Sequence, residues 1–354
     1  VQAATALAAE SLDRSLSFLY VGGKGNVEEH LAKRAGLRFV EVPAGGIHGL
    51  PPWRVAWNLT KLARGWLASI LLGLRQRPAA LFVTGGYASI PVAAAAWTLR
   101  VPILLYLPDI VPGWAVRFVA RLATRVAVTV EDAAVHFPAH KVVVAGYPVR
   151  DEFRGIDRAE ARASLGLDPK EPVLLVMGGS TGAQGINQPF GEILEQVLEL
   201  AQVIHVTGMI DWSLVQRQRG TLPEALKARY HVYDYVHEME NVFAAADLAV
   251  CRAGASVLGE LPFFGLPAVL VPYPHAWDYQ RVNADWLAKR GAATRLDQER
   301  LDEQLLPTLR RLLGDRGALT EMAGRMRSLA RPDAAQRLAG EWLSLARLGL
   351  ERRL

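Results

Sequence analysis

The residues of this chain that could do chemistry gather in small-residue turns behind short apolar runs. From Cys251 to Asn283 it reads CRAGASVLGELPFFGLPAVLVPYPHAWDYQRVN. The turn from Arg252 to Ser256 lies between an apolar run and a helix opened by Glu260, a spacing that lets backbone N–H groups at a helix start meet a diphosphate. The apolar run 266–271 then leads into the polar loop 272–280, which places His275, Asp278, Tyr279 and Gln280 at the carboxyl end of a parallel strand. Those side chains suit the reading of hydroxyls, so the segment fits a nucleotide sugar held from both ends.

Two more glycine-rich loops follow apolar runs. Thr84-Gly85-Gly86-Tyr87-Ala88-Ser89 follows the run 81–83, and Gly178-Gly179-Ser180-Thr181-Gly182-Ala183-Gln184-Gly185 follows 173–177. Each can offer bare backbone N–H groups to a phosphate or a carbonyl. Glycine behind a parallel strand is also simply how a tight turn is made. Neither loop continues into Gly-Lys-Ser/Thr, and neither carries the acidic residue of the dinucleotide fingerprint, so nucleotide hydrolysis and hydride transfer lose support.

The elements that must position these loops alternate in two series. Residues 16–21, 38–42, 81–84, 103–106, 125–130 and 141–145 are short β-rich runs with helical patterns between several of them. A polar stretch near 150–170 reads as a linker, and a second series follows at 173–177, 203–207, 230–233, 248–251 and 267–271. The expected fold class is α/β, two Rossmann-like domains facing a central cleft, with ligands at the carboxyl ends of the strands. The expected domains are 1–150, 151–332 and a last helix from 333 returning to the first domain.

Length and composition agree with an enzyme of two ordinary domains: 354 residues, 51% hydrophobic, with 31 glycines. Cys251 is the single cysteine, which excludes an internal disulfide framework and a cysteine-based zinc cluster and points to a reducing, cytoplasmic setting. No run of about eighteen apolar residues exists to span a bilayer. Charge is unevenly spread. Residues 1–150 hold sixteen Lys and Arg against eight Asp and Glu, about +8, leaving about −3 for the rest of a chain whose total is +5. The segment 53–77, WRVAWNLTKLARGWLASILLGLRQR, sets tryptophans and leucines at helical spacing among Lys61, Arg64, Arg75 and Arg77. Two readings fit it: an anionic membrane surface as partner, or a core-packed helix with a solvated basic face. No aromatic-interleaved basic groove argues for nucleic acid.

GGYAS (85–89), VPGWAVRFVARLATRVAVT (111–129), KVVVAGYPVR (141–150), GGSTGAQGIN (178–187) and the 251–284 segment together resemble the bacterial MurG family. The resemblance implies a GT-B glycosyltransferase that moves N-acetylglucosamine from UDP-GlcNAc to undecaprenyl-diphosphate-linked muramyl pentapeptide, peripheral on the inner face of the cell membrane. It implies no cofactor and no metal, and the chain has no Asp-x-Asp motif. At the donor site it implies Ser180 against the diphosphate, Arg150 at the nucleotide, the Val236 backbone on uracil, and Ala255, Ser256 and Val257 beneath the diphosphate and ribose. Glu260 is implied as acceptor of the ribose hydroxyls, and Gln280, with Tyr279 beside it, as reader of the sugar. Gly85, Gly86, Tyr87 and Ser89 form the implied acceptor-side loop, and His205 a cleft-facing strand end. Glu260 has a plainer reading as a helix-start carboxylate, and Arg150 as a boundary ion pair.

The departures lie on the acceptor side. In the family a glycine-rich loop ends in a histidine thought to be the general base; Val1 to Glu10 resembles the helix after that loop, so the native protein is expected to extend upstream. The family's His-Glu-Gln-Asn is replaced by Tyr106-Leu107-Pro108-Asp109, and its Asn-Pro-Val by Tyr147-Pro148-Val149. Asp109 is the one cleft candidate for a base within the sequence, and a turn-capping residue before Ile-Val-Pro-Gly is the reading that fits it better. His275 either orients the Gln280 loop or satisfies its own backbone. Beside the lipid-linked transferase stand a transferase with another lipid acceptor, an inactive nucleotide-sugar-binding remnant, and a UDP-GlcNAc 2-epimerase, whose arrangement of cleft carboxylates and histidines is not seen.

Overall fold

The structure, a computed structural model, describes residues 16–23, 27–46, 50–179, 182–275 and 278–351. The chain divides into two compact units, Val1–Pro148 with Pro332–Leu354, and Val149–Arg331. Val149 and Arg150 thus belong with the second unit, two residues before the boundary read from the sequence.

In the first unit β1 (Leu19–Gly22) pairs in parallel with β2 (Arg38–Glu41). A separate parallel sheet runs β3 (Leu81–Val83), β4 (Ile103–Leu107), β5 (Arg125–Val128) and β6 (Val142–Val144), each strand beside its successor. β4 is apolar at every position and buried throughout, as a strand covered on both faces must be. One cover is the final helix, Ala334–Glu351. Its Leu338, Trp342 and Leu345, at helical i, i+4, i+7 spacing, pack on Leu104, Tyr106, Ala127 and Phe82. Arg125 of β5 also pairs with Glu341 at 3.2 Å.

The helix Pro52–Gln76 packs against the helix Ser89–Thr98. Its buried residues are Gly65 and Ser69 alone. Gly65 allows that approach, because a Cβ there would strike the Pro43 carbonyl. Leu62, Trp66, Ile70 and Leu72 are half-buried, while Trp53, Trp57, Leu67 and Leu71 are 66%, 60%, 54% and 58% exposed. Both readings of this segment therefore keep support: one face packs on the neighbouring helix, and the other leaves tryptophans, leucines and cations exposed.

The second unit is one parallel sheet of β7 (Val173–Met177), β8 (Gln202–Val206), β9 (Tyr230–Tyr233), β10 (Leu248–Cys251), β11 (Ala268–Leu270) and β12 (Ala293–Arg295). Its order is β12-β11-β10-β7-β8-β9. β12 escapes a sequence reading because Ala-Thr-Arg shows no apolar run; it is a strand because Ala268, Val269 and Leu270 pair with it in register. Leu174, Val176, Val203 and Val250 form the main core with Ile186, Phe190, Leu305 and Leu309 from covering helices.

Candidate active site

The strand order creates the site. Chain connections leave β7 toward β8 on one side and β10 toward β11 on the other, so the loops behind these two neighbours diverge. That switch point is where open α/β sheets bind ligands. Both glycine-rich turns of this unit lie there. Behind β7, Gly182 has φ +88°, and a Cβ on it would stand 2.6 Å from the Thr207 carbonyl oxygen, so only glycine fits. The loop then enters the helix Gln184–Glu192. Ser180, assigned to the diphosphate, lies outside the described residues.

Behind β10, the expected single helix start is a 3-10 turn, Ala255–Leu258, followed by the short helix Glu260–Phe264. Gly259, with φ −127° and ψ −47°, breaks the two apart. Glu260 is half-buried, and burial raises its pKa; the Ser256 hydroxyl, which donates to it, and the Arg150 charge both act in the opposite sense. The structure therefore joins Glu260 to Ser256 and sets Arg150 within electrostatic range of it, over the Phe153 ring at 5.6 Å. Val257 is buried. The Cys251 thiol, pushed up to about 12 by burial and by the Glu260 charge, is no nucleophile.

Arg252 ties the two turns together. Its Nη2 donates to Gln298 Oε1 at 2.7 Å, and Gln298 in turn lies against Gly185, where a Cβ would collide with it. Asn283, fully buried on the helix Tyr279–Lys289, donates to the Ala253 carbonyl at 3.1 Å. The polar loop behind β11 closes on itself: Gln280 Oε1 accepts from the Tyr273 backbone at 2.9 Å, and His275 packs edge-on against the Tyr273 ring. Gln280 thus holds its loop with the oxygen, and His275 pairs with a ring rather than with Gln280. Tyr279 opens the following helix. Val236 follows β9 at the same end of the sheet, with Tyr235 and His237 stacked edge-to-face beside it.

His205 departs from its expected place. It is 1% exposed, in the core beside the Phe190 ring, and burial lowers its pKa to about 3. In the first unit, Gly85 and Gly86 have φ of +100° and +82°. The Ser89 hydroxyl donates to the Gly86 carbonyl at 2.7 Å, so it secures the turn, while the Tyr87 ring lies against Gly46. Among the described residues no group of three His, Cys, Asp or Glu is arranged to hold a metal ion.

Residues 1–128 match the glycosyltransferase family 28 N-terminal domain, and residues 173–338 its C-terminal domain. The chain is 41% identical over 363 residues to the UDP-N-acetylglucosamine--N-acetylmuramyl-(pentapeptide) pyrophosphoryl-undecaprenol N-acetylglucosamine transferase of Roseiflexus sp. (strain RS-1), covering 91% of this chain and 82% of that relative. The protein of the same name from Desulforudis audaxviator is 36% identical, covering 91% and 90% of the two chains. A crystal structure of Acinetobacter baumannii MurG superposes with a TM-score of 0.75 at 25% identity, over 97% of this chain and 95% of that one. The chain belongs to the MurG family. It is a glycosyltransferase of GT-B fold.

Within this MurG-family chain, the Tyr106–Asp109 departure has a definite structure. The Tyr106 hydroxyl is 2.9 Å from Thr129 Oγ1 and donates to the Gly146 carbonyl at 3.1 Å. Thr129 Oγ1 stands 3.1 Å and 2.8 Å from the carbonyls of Leu107 and Pro108. The carboxyl ends of β4, β5 and β6 are thereby knotted at one point. Asp109 and Tyr147 stand close enough for their charges to raise the Tyr106 pKa further, after burial has already raised it. Sequence reading passed over Tyr106, Thr129, Arg252 and Asn283 as functional supports. A polar residue inside or just behind an apolar run was the signal for Tyr106, Thr129 and Arg252; Asn283, in the helix Tyr279–Lys289, carries no such signal.

Proposed function

We propose that this chain transfers N-acetylglucosamine from UDP-GlcNAc to undecaprenyl-diphosphate-linked N-acetylmuramyl pentapeptide, at an anionic membrane surface facing the cytoplasm. The observation that carries the reading is the half-buried Glu260 behind β10, bonded by the Ser256 hydroxyl and within the field of the Arg150 charge, next to the glycine turn behind β7. A carboxylate in reach of a hydroxyl donor and a cation suits a ribose next to a diphosphate. Backbone N–H groups of the glycine turn and the Arg150 charge would stabilise the departing UDP, the larger share of the work in such a transfer. Val236, Tyr279 and Gln280 take the uracil and sugar ends. Gly85, Gly86, Tyr87 and Ser89 belong to the acceptor side, and Asp109 is read there as a turn residue rather than as the base.

Membrane contact rests on the helix Pro52–Gln76. Its exposed tryptophans and leucines share a surface with Arg54, 4.9 Å from the Trp53 ring centroid, and Lys61, 5.9 Å from that of Trp57. Exposed apolar groups mixed with cations suit an anionic interface. No described helix is long and apolar enough to cross a bilayer.

The test is transfer of labelled GlcNAc from UDP-GlcNAc to a lipid-linked muramyl pentapeptide analogue, compared with a diacylglycerol acceptor. Transfer to the first is expected. Transfer only to the second would change the acceptor, and UDP binding with no transfer would support a binding protein.

A further inference from the structure

Behind the glycine turn runs a chain of buried polar groups that no catalytic role has absorbed. Tyr230, His205, Asn187 and Asp211 are 2%, 1%, 2% and 6% exposed. The Tyr230 hydroxyl is 2.7 Å from His205 Nδ1, and His205 Nε2 is 3.0 Å from Asn187 Oδ1. The Asn187 amide nitrogen donates to the Thr207 carbonyl at 2.8 Å and to Asp211 Oδ2 at 2.7 Å.

The direction of every bond follows from its neighbours. Asn187 Nδ2 faces two acceptors, so Oδ1 is the end turned to His205. A neutral imidazole must then carry its proton on Nε2, and Nδ1 accepts from Tyr230. Donation runs one way, from Tyr230 at the sheet edge to Thr207 and Asp211 behind β8. Burying four polar side chains to hold one turn is expensive unless the position of that turn matters.

The turn it holds is the seat of the glycine loop. Gly182 lies on the Thr207 carbonyl, the same oxygen that Asn187 fixes. Asn187 itself stands in the first turns of the helix that the glycine loop enters. The loop is thus bound to one amide from below and from behind.

We propose that Tyr230, His205 and Asn187 form a positioning chain that seats Gly182 and the start of the helix Gln184–Glu192, and so tunes how the turn behind β7 meets the diphosphate of the nucleotide donor. This rests on the donor-site reading above. Because the chain acts on the loop and not on the base or ribose contacts, its loss separates diphosphate recognition from nucleoside recognition.

The experiment compares UDP and uridine affinities, with donor and acceptor KM, in the full chain and in Asn187→Leu and Tyr230→Phe. Asn187→Leu is expected to weaken UDP roughly tenfold or more, the worth of about one charge-assisted hydrogen bond, while uridine changes less than about threefold. Donor KM rises in step and acceptor KM holds. Tyr230→Phe, which removes only the terminal hydroxyl, shifts the UDP-to-uridine ratio the same way by about two- to fivefold. If Asn187→Leu does not fold, Tyr230→Phe decides alone. Equal weakening of UDP and uridine, or an unchanged ratio in a folded variant, overturns the positioning chain. A parent chain that binds UDP no better than uridine overturns the donor reading instead.

Discussion

The guanidinium of Arg252 lies over the ring of Tyr273, 5.3 Å from its centroid. The same side chain donates to the carbonyls of Val271 and Pro272 at 3.3 and 3.4 Å and to Gln298. A residue behind β10 therefore holds the loop behind β11, from which Tyr279 and Gln280 follow. Lysine cannot reproduce a planar fork that stacks and donates at once. Arg252→Lys is expected to raise the donor KM about tenfold and cost about 1–3 kcal/mol of stability, with acceptor KM unmoved. Steady-state kinetics with each substrate varied, and a thermal melt, check it.

Glu260 links donor recognition to pH. Its folded pKa is raised from 4.5, chiefly by burial. The folded state therefore keeps a proton that the unfolded state gives up, and Glu260 contributes most stability below its ordinary pKa. That contribution is lost as pH climbs through the raised value. Glu260→Gln should flatten this part of the stability curve in urea titrations. It should also erase discrimination between UDP and 2′-deoxy-UDP, which a carboxylate accepting ribose hydroxyls supplies. Retained discrimination would remove Glu260 from the ribose.

The donor unit was legible because its chemistry sits where apolar runs stop. β7 and β10 coincide with the runs read from sequence, since a strand buried on both faces must be continuously apolar, and the edge strand β9, YHVY, was found by its β-favouring aromatic and branched residues. The break at Gly259 was not legible, because a 3-10 turn and an α-helix share the same residue preferences over one turn. His205 was misread for a related reason. A strand alternates faces, and sequence alone does not say which face meets a helix; Val203 and His205 both point to the Phe190 side. The Pro52–Gln76 segment was only half legible, since tryptophans at helical spacing do not say which are covered: Trp66 is half-buried, while Trp53 and Trp57 are exposed.

Asp109 offers a clean test of base against turn. The Leu107 and Pro108 carbonyls before it are held by Thr129. Asparagine keeps the shape and the hydrogen-bonding reach. Asp109→Asn is therefore expected to retain kcat within about tenfold, whereas loss of a general base costs about 10²–10⁴-fold. A fall of the larger size, with the acidic limb of the pH profile gone, would make Asp109 the base.

Membrane contact predicts a salt-sensitive and tryptophan-dependent partition. Trp53→Gln with Trp57→Gln is expected to lower sedimentation with phosphatidylglycerol vesicles by roughly tenfold or more, since each buried aromatic carries about 1.5–3 kcal/mol. Lys61→Gln with Arg64→Gln weakens it by about 1 kcal/mol per charge, and only at low salt. Soluble transfer to a short-chain acceptor should be unchanged, because the fully buried positions of this helix are Gly65 and Ser69. Equal binding to neutral vesicles would assign the patch to another partner.

His205 makes acid stability the mirror image of the Glu260 effect. Burial lowers its pKa from 6.5 to about 3, so between those values the unfolded chain binds a proton that the folded chain refuses. Its contribution is complete above pH 6.5 and drains away as pH falls toward 3. Between pH 7 and 4.5 the loss is about 2–3 kcal/mol, from roughly 1.4 kcal/mol per pH unit below the unfolded pKa. His231, its pKa lowered first by burial and then by Arg219, adds a loss of the same sign. In His205→Gln the absolute stability falls, because the donation from Tyr230 to Asn187 is broken. The informative quantity is the slope. Urea midpoints of the variant should fall less between pH 7 and 4.5 than those of the parent, and parallel slopes would mean that His205 is protonated in the folded protein and that its bond to Tyr230 runs the other way.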